Sequence, residues 1–195
     1  MNKISYLVVL IMLLSACKKD KGPQPTIPLP HPLMQYSNLH NESILFGQQR
    51  AIDINNDGSV DFVFRTQLVG DPVFKLDRKQ FHLASKVEAY LLHDPSDQTP
   101  VLNKGDQVSI MHNGHQWFHI ADIIVAEKII PLNGASFWRG RWQDAVYKYL
   151  AVQVKKNGNV YNGWIELSFD SVLEKLVLHR AAICTEPGIT IKAGF

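Results

Sequence analysis

The chain has 195 residues, of which 46% are hydrophobic and 19% are charged, and it carries 20 Lys and Arg residues against 18 Asp and Glu residues. This composition is typical of a globular protein and excludes a wholly disordered chain, a collagen-like repeat and a coiled coil. A net charge of +2 gives no reason to expect a nucleic acid as a partner.

The N-terminus, residues 1–16, has the three parts of a secretory signal peptide. Lys3 provides a positive charge ahead of an apolar run, residues 4–14, which ends in the small residues Ser15 and Ala16. An apolar run of this length is too short to span a bilayer. The sequence therefore predicts export from the cytoplasm.

The end of this segment, Leu14-Ser15-Ala16-Cys17, resembles the lipobox of bacterial lipoproteins. The resemblance implies that Cys17 is lipidated, with palmitate among its acyl chains, and becomes the first residue of the mature protein. Several acyl chains bind a membrane more firmly than the single chain that gives only marginal attachment. The alternative is an ordinary signal peptide with a coincidental cysteine.

The second cysteine, Cys184, has only Cys17 as a partner in the sequence. An exported domain that relies on disulfides would carry an even set of cysteines in its folded part. We therefore expect Cys184 to be a buried free thiol.

Residues 17–32 are predicted to form a linker between the lipidated cysteine and the folded domain, residues 33–195. Half of the chain's 10 prolines lie in this linker, and such a density prevents both a helix and a sheet ladder. We expect an extended tether of polyproline type that reaches about 3 Å per residue.

From residue 43 onward, short runs of alternating apolar residues are separated by turn residues, which predicts β-strands. The predicted strands are residues 43–47, 50–54, 60–67, 81–92, 108–111, 115–120, 137–142, 147–154, 160–168, 173–183 and 189–192. Residues 121–130 could form a short helix, although their β-branched residues favour a strand. This pattern predicts an all-β antiparallel sandwich of jelly-roll or immunoglobulin-like type.

The best-defined predicted hairpin lies between residues 147 and 168. A two-residue turn, Asn157-Gly158, pairs Lys156 with Asn159 and thereby fixes the register of the two strands. In that register one apolar face is formed by Leu150, Val152, Val154, Tyr161, Gly163, Ile165 and Leu167.

The segment from residue 53 to residue 61 has the pattern D-x-N-x-D-G-x-x-D, which is typical of a calcium loop. The residues whose oxygens could surround the ion are Asp53, Asn55, Asp57, Ser59 and Asp61. Position twelve holds Phe64, so the bidentate glutamate of an EF-hand is missing. We predict a weak calcium site on a β-hairpin, with a Kd of about 10⁻⁴–10⁻³ M. The alternative is a tight turn without an ion.

Three histidines surround the turn Asn113-Gly114, which would place them on one face of a hairpin. They are His112, His115 and His119. Three imidazoles could bind zinc or copper. No acidic residue or cysteine is fixed beside them, so half-buried hairpin histidines are the preferred interpretation.

Trp138 and Trp142 flank two arginines and could form a sugar-stacking or protein-docking platform if their rings were exposed. Strand alternation places both rings on one face and the arginines on the other. This arrangement favours a core position for the two tryptophans.

Sequence signatures of catalysis, such as G-x-S-x-G, H-E-x-x-H and a phosphate loop, are absent from the chain. An enzyme stays open as an alternative, because the active site of a sandwich is assembled from distant loops. A hydrolase would be expected to hold its site in the long loops 93–106 and 131–136.

Three segments carry a resemblance to a known group of proteins: the loop at 53–61, Asn162-Gly-Trp-Ile-Glu-Leu167 and Pro187-Gly-Ile-Thr-Ile-Lys-Ala-Gly194. Residues 43–195 resemble the β-sandwich ectodomains of Bacteroidota surface lipoproteins and of PEP-CTERM-sorted proteins, with Asn162 in place of a tyrosine. The resemblance implies that Trp164 packs in the core. It also implies a turn-stabilising ion at Asp53, Asn55, Asp57 and Asp61. Asp170-Ser171-Val172 similarly resembles the O-glycosylation acceptor of Bacteroidota.

We therefore expect a lipid-anchored protein of the outer membrane that faces the periplasm or the cell surface. Its expected role is that of a non-catalytic binding or structural module with a calcium-braced hairpin. A glycan or an envelope protein is the expected partner. The alternatives are an exported hydrolase and an accessory subunit that works beside a partner from its own operon.

Overall fold

A computed structural model describes the protein over residues 32–195. The predicted signal peptide, the lipidation site Cys17 and the tether up to residue 31 lie outside the described residues. Within residues 32–195, no helix is long and apolar enough to cross a membrane.

The described part of the chain is built from β-strands alone, which confirms the predicted all-β class. The strands are β1 (Met34–Ile44), β2 (Gln49–Ile52), β3 (Phe62–Asp71), β4 (Leu76–Ser85), β5 (Ala89–His93), β6 (Gln107–Val108), β7 (Gln116–His119), β8 (Asp122–Pro131), β9 (Phe137–Arg139), β10 (Lys148–Lys156), β11 (Asn159–Asp170), β12 (Lys175–Cys184) and β13 (Ile191–Lys192).

Two antiparallel sheets pack face to face and form the predicted sandwich. One sheet has the order β1-β12-β11-β10-β5-β7 and the other has the order β2-β3-β4-β8-β9. The alternating apolar residues of each strand meet between the sheets, where Phe62, Phe64 and Leu83 of one sheet share a core with Leu150 and Ile165 of the other. Burial of these side chains stabilises the fold by about 1.5–3 kcal/mol each.

The predicted hairpin of β10 and β11 has the predicted register. Lys156 pairs with Asn159 across the two-residue turn, and Leu150 pairs with Ile165 further along. Asn157 has a φ of 52° and Gly158 a φ of 79°, the left-handed conformation that a tight hairpin turn of this type requires at both positions. The turn chemistry therefore sets the pairing of the two central strands.

The outer face of the six-stranded sheet is covered by the C-terminal segment, in which β13 pairs with β6. Trp164 is fully buried beneath this segment, and its Nε1 donates a hydrogen bond to the Phe195 carbonyl at 3.3 Å. The predicted core position of Trp164 is thus confirmed. Asn162 is also buried, and its Nδ2 donates to the Ile189 carbonyl at 2.7 Å. Because both faces are covered, the central residues of β10 and β11 are buried on both sides of the sheet.

Several predicted strand boundaries are wrong; the strand predicted at 137–142, for example, ends at Arg139, so Trp142 lies beyond it. Residues 81–92 form two strands in different sheets, because the chain leaves β4 at Ser85 and enters β5 at Ala89 through a turn in which Glu88 has a φ of 69°. The first strand begins at Met34 rather than at residue 43, since most of its residues alternate between exposed and half-buried positions and lack a strong apolar signal. Residues 121–130 form β8, as their β-branched residues favoured.

Three side chains, two of them buried and one half-buried, agree with the expectations from the sequence. Trp142 is buried, and Trp138 packs against the main core at 4.8 Å from the ring of Phe169. The two tryptophans therefore belong to the core. Cys184 is a buried free thiol, and burial raises its pKa.

Candidate functional site

The loop between β2 and β3 is held in shape by the predicted calcium-ligand side chains. Asp53 accepts hydrogen bonds from two backbone amides, from Asp57 N–H at 3.1 Å and from Gly58 N–H at 2.7 Å. The Asn55 Oδ1 atom accepts from Asp57 N–H at 3.0 Å. Gly58 has a φ of 88°, which a side chain would strain. The motif thus forms a tight turn whose oxygens point inward at the backbone.

Asp57 connects this loop to the opposite sheet. Its Oδ1 accepts from Ser59 N–H at 3.0 Å, and its Oδ2 lies 3.4 Å from the Nζ of Lys156 at the end of β10. The Ser59 amide, together with Asn55 and Lys156, holds the pKa of Asp57 below the ordinary aspartate value. Asp57 is therefore ionised near neutral pH.

Asp61 is the buried member of the loop, with 5% of its surface exposed. Its Oδ2 accepts from Ile54 N–H at 2.9 Å. Burial and, to a smaller extent, the negative charges of Asp53 and Asp57 raise the pKa of Asp61 to about 6 against the opposing effect of the backbone amides. A bound cation would favour the ionised carboxylate and reduce this repulsion. Calcium binding at this loop stays a prediction.

Charged side chains alone would not provide a complete set of ligands for a calcium ion in this loop. Within residues 32–195, no group of three or more His, Cys, Asp or Glu side chains is placed so that it could hold a metal. A calcium ligand set would have to include the amide oxygen of Asn55 and the carbonyl of Ser59. Neutral oxygens of this kind are common calcium ligands.

The three histidines of the predicted hairpin each have another contact. His112 and His115 pair across the predicted turn at residues 113–114. The His112 Nε2 accepts from Ser109 N–H at 3.1 Å, and the His115 Nδ1 donates to the Asn113 carbonyl at 3.1 Å. His119 lies against Tyr90 with 5.6 Å between the ring centroids. The three rings thus have separate partners along the hairpin.

A second polar cluster, which the sequence did not indicate, lies on the outer face of the six-stranded sheet. We call it the Ser168 cluster; its members are Ser168, His179, Asn41 and Tyr147. β12 has a register shift here in its pairing with each neighbouring strand. In the pairing with β11, Glu166 faces Arg180 and the next residue, Leu167, faces Leu178, so His179 is an extra residue that forms a bulge. The pairing of β1 with β12 is irregular at the same level. Bulges of this kind redirect a side chain and often lie beside active sites.

The hydrogen bonds of the Ser168 cluster define the protonation of its histidine. The His179 Nδ1 lies 2.6 Å from Asn41 Oδ1, and its Nε2 lies 2.7 Å from Ser168 Oγ. An amide oxygen only accepts, so the Nδ1 carries the proton. The Nε2 is then the acceptor for the Ser168 hydroxyl, whose oxygen in turn accepts from Tyr147 N–H at 2.9 Å.

The surroundings of His179 keep its imidazole neutral. Burial lowers the pKa of His179 below the ordinary histidine value; the charge of Glu166 opposes this effect and that of Arg180 adds to it. Arg180 Nε donates to Glu166 at 2.6 Å, so these two charges largely offset each other. The Tyr147 ring stacks on the imidazole with 4.3 Å between the centroids.

A cleft of about 530 Å³ opens beside the cluster. Its lining includes Ser168, His179 and Tyr147, together with Gln143 and Lys175. A cleft of this volume is within the range of small-molecule sites. The cluster thus places a hydroxyl, an imidazole and an amide oxygen in one hydrogen-bonded row beside the cleft.

Sequence reasoning missed this cluster for a physical reason. In a regular strand His179 and Arg180 would point to opposite faces, whereas the bulge allows both to point outward between the buried Leu178 and Ala181. Asn41 lies 138 positions from His179 in the chain. The one available signal was the polar pair His179-Arg180 inside an otherwise apolar strand. The loops 93–106 and 131–136, where a hydrolase site was expected, contain none of these residues.

The predicted acceptor Asp170-Ser171-Val172 lies in the turn between β11 and β12. Asp170 Oδ1 accepts from Val172 N–H at 3.0 Å and from Leu173 N–H at 2.8 Å, and Val172 is largely exposed. Ser171 itself is half-buried, and its modification stays a prediction.

Comparison of the chain with protein-family models, with curated proteins and with solved structures gives no significant match.

Proposed function

We propose that this chain is a lipid-anchored protein of the bacterial cell envelope, attached to the outer membrane through Cys17. The observation that carries the proposal is the lipobox Leu14-Ser15-Ala16-Cys17 directly after an apolar export signal. The buried free thiol of Cys184 supports it, because Cys17 then has no disulfide partner in the chain. The sandwich would act beyond the tether on an envelope glycan or protein.

Membrane attachment is tested with the full chain expressed in a bacterium that lipidates its own proteins. Metabolic labelling with a palmitate analogue should mark the wild-type protein and leave Cys17→Ala unmarked. The wild-type protein should fractionate with membranes and Cys17→Ala with soluble proteins. Cys184→Ala is the matched control and should retain the label. An unlabelled wild-type protein that is exported and soluble would contradict the proposal.

The second part of the proposal is that a calcium ion braces the loop between β2 and β3. The buried carboxylate of Asp61 beside two further aspartates supports a cation there. At a Kd of about 10⁻⁴–10⁻³ M, 10 mM calcium would stabilise the fold by about 1.4–2.7 kcal/mol. The ion would hold the loop, and no catalytic step is assigned to it.

Calcium binding is tested by calorimetry and by thermal unfolding of the full chain in detergent, in calcium and in chelator. We expect one weak site and a Tm that rises by about 3–10 °C in calcium. Asp57→Asn keeps an oxygen for the Ser59 amide but removes a charge, and it should abolish the increase. Asp77→Asn, a matched change on the exposed surface of β4, should leave it intact. A wild-type Tm that is equal in calcium and chelator would mean that the loop is only a turn.

A further inference from the structure

We propose that the Ser168 cluster is the catalytic group of an esterase, with Ser168 as the nucleophile, His179 as the general base and Asn41 as the residue that orients the imidazole. The substrate class is a small, uncharged carboxylic ester. This inference goes beyond the anchored module proposed above and rests on separate residues. It is based on the distances within the Ser168 cluster and on the cleft beside it.

The distances satisfy what nucleophilic catalysis by serine requires. The Ser168 Oγ to His179 Nε2 distance of 2.7 Å places the base within reach of the hydroxyl proton, and the His179 Nδ1 to Asn41 Oδ1 distance of 2.6 Å fixes the ring. Asn41 accepts from Nδ1, so the required tautomer is the one present. A nucleophile, its base and an orienting acceptor in this order define such a site by geometry rather than by sequence position.

The backbone around the pair is held in an unfavourable conformation. Tyr147 has a φ of 48°, in the left-handed region that a bulky residue seldom occupies; Asn41 has a φ of 54°, which asparagine adopts more readily. Strained positions of this kind are concentrated at functional sites. Both residues contact the Ser168–His179 pair directly, one through a side-chain oxygen and one through its N–H and its ring.

The reaction follows from these contacts. Ser168 Oγ bonds to the acyl carbon while its proton passes to His179 Nε2, and the carbonyl oxygen becomes an oxyanion. The ester C–O bond then breaks, and His179 returns the proton to the departing alcohol oxygen. Water attacks the acyl-serine with His179 again as base, and the carboxylic acid leaves as Ser168 regains its proton. Water is the only co-reactant.

The cleft also contains groups suited to the oxyanion. Lys175 and Gln143 line it and carry N–H donors. Lys175 shares the lining with Asp144 and Asp170, so the cleft has charges of both signs. A small uncharged ester suits such a cleft better than a polyanion or a polycation.

The test uses the full chain in detergent, a fluorophosphonate probe and p-nitrophenyl acetate. The wild-type protein should become covalently labelled, and peptide mass mapping should place the label on Ser168. Ser168→Ala should lose the label and at least 10²-fold of the hydrolysis rate. Ser171→Ala, which removes a hydroxyl from the same cleft, should retain both. Circular dichroism and the Tm verify that each variant folds.

The role of Asn41 is tested by the pH dependence of the hydrolysis rate. Asn41→Asp replaces a neutral acceptor with a carboxylate, which favours the protonated imidazole and should move the acid limb of the pH–rate profile to higher pH. A residue that only supports the bulge would change the Tm without moving this limb.

A folded wild-type protein that neither hydrolyses the ester nor takes the label at Ser168 would overturn the proposal. So would labelling that maps to another residue, or hydrolysis that persists in Ser168→Ala. Peptide mass mapping of the label on the wild-type protein tests the proposal even if Ser168→Ala does not fold. Membrane attachment and calcium binding are measured separately, so their failure and the failure of the esterase are distinguishable.

Discussion

Lys156 and Asp57 join the two sheets of the sandwich at one end, with 3.4 Å between the Nζ and Oδ2 atoms. Lys156 ends β10 of the six-stranded sheet, whereas Asp57 belongs to the loop between two strands of the five-stranded sheet. The ammonium group thus occupies a position beside a carboxylate that a cation would also use. A lysine and a calcium ion are expected to compete there.

Removal of this lysine should therefore strengthen calcium binding. Lys156→Ala leaves the charge of Asp57 without its ammonium partner, and we expect calcium affinity to increase about 2–5-fold at low ionic strength. Calorimetry of wild type and variant measures the change. Lys155→Ala removes the same charge from the opposite face of the strand and should have a smaller effect. Equal affinities in wild type and Lys156→Ala would contradict the competition.

The raised pKa of Asp61 should appear in the pH dependence of stability without calcium. The folded protein holds the Asp61 proton up to about pH 6, whereas the unfolded chain releases it near the ordinary aspartate value. The native state therefore binds more protons between about pH 4 and 6, and the free energy of unfolding falls as pH rises through this window. The loss from Asp61 is on the order of 3 kcal/mol at most.

Asp61→Asn tests this assignment, because the amide oxygen still accepts from Ile54 N–H and no charge forms. In chelator, urea unfolding should give a flatter dependence on pH from 4 to 7 for the variant than for wild type. The variant should be the more stable of the two at pH 7. If both proteins lose the same stability across this window, another group is responsible.

The neutral state of His179 should shape the pH dependence of ester hydrolysis. The base works when deprotonated, so the rate should fall as pH falls through the His179 pKa. Because burial lowers that pKa, the acid limb should lie below the pH at which a free histidine titrates. Hydrolysis of p-nitrophenyl acetate between pH 4 and 8 measures the limb. A limb above the free-histidine value would show that His179 is not the base.

Gly163 is required by the close approach of β11 and β12. A Cβ built at this residue would lie 2.7 Å from the carbonyl oxygen of Ala182, which belongs to the backbone and cannot move away easily. We expect Gly163→Ala to destabilise the fold by about 1–3 kcal/mol. Gly70→Ala is the control, since its nearest neighbour is 3.4 Å away, and it should be nearly neutral. Urea unfolding measures both, and similar values for the two would contradict the steric argument.

The features that could be predicted from the sequence were those specified by neighbouring residues. The turn Asn157-Gly158 fixes a register locally, and the alternating runs give the sandwich because each run has one apolar face. The aspartate-rich loop is also local, since the hydrogen bonds among residues 53–61 join positions no more than seven apart. In each case the local structure is determined by residues within one turn or one strand.

The features that could not be predicted depend on irregular or distant pairing. The chain changes sheets after Ser85 through residues that include no glycine or proline, so residues 81–92 resemble one continuous strand. The Ser168 cluster needs a bulge in β12 and a residue from β1, and neither follows from alternation along a single strand. The Ser168 cluster can therefore be recognised only when β1, β11 and β12 are seen side by side in the structure.

The pairing of Met34 with Cys184 determines at which end the chain enters the sandwich. Cys184 lies beside Asn162, close to the Lys156–Asp57 pair, and Ser168 lies six residues further along β11, at a distance of roughly 20 Å. The described chain therefore begins at the end of the sandwich that lies away from the Ser168 cluster.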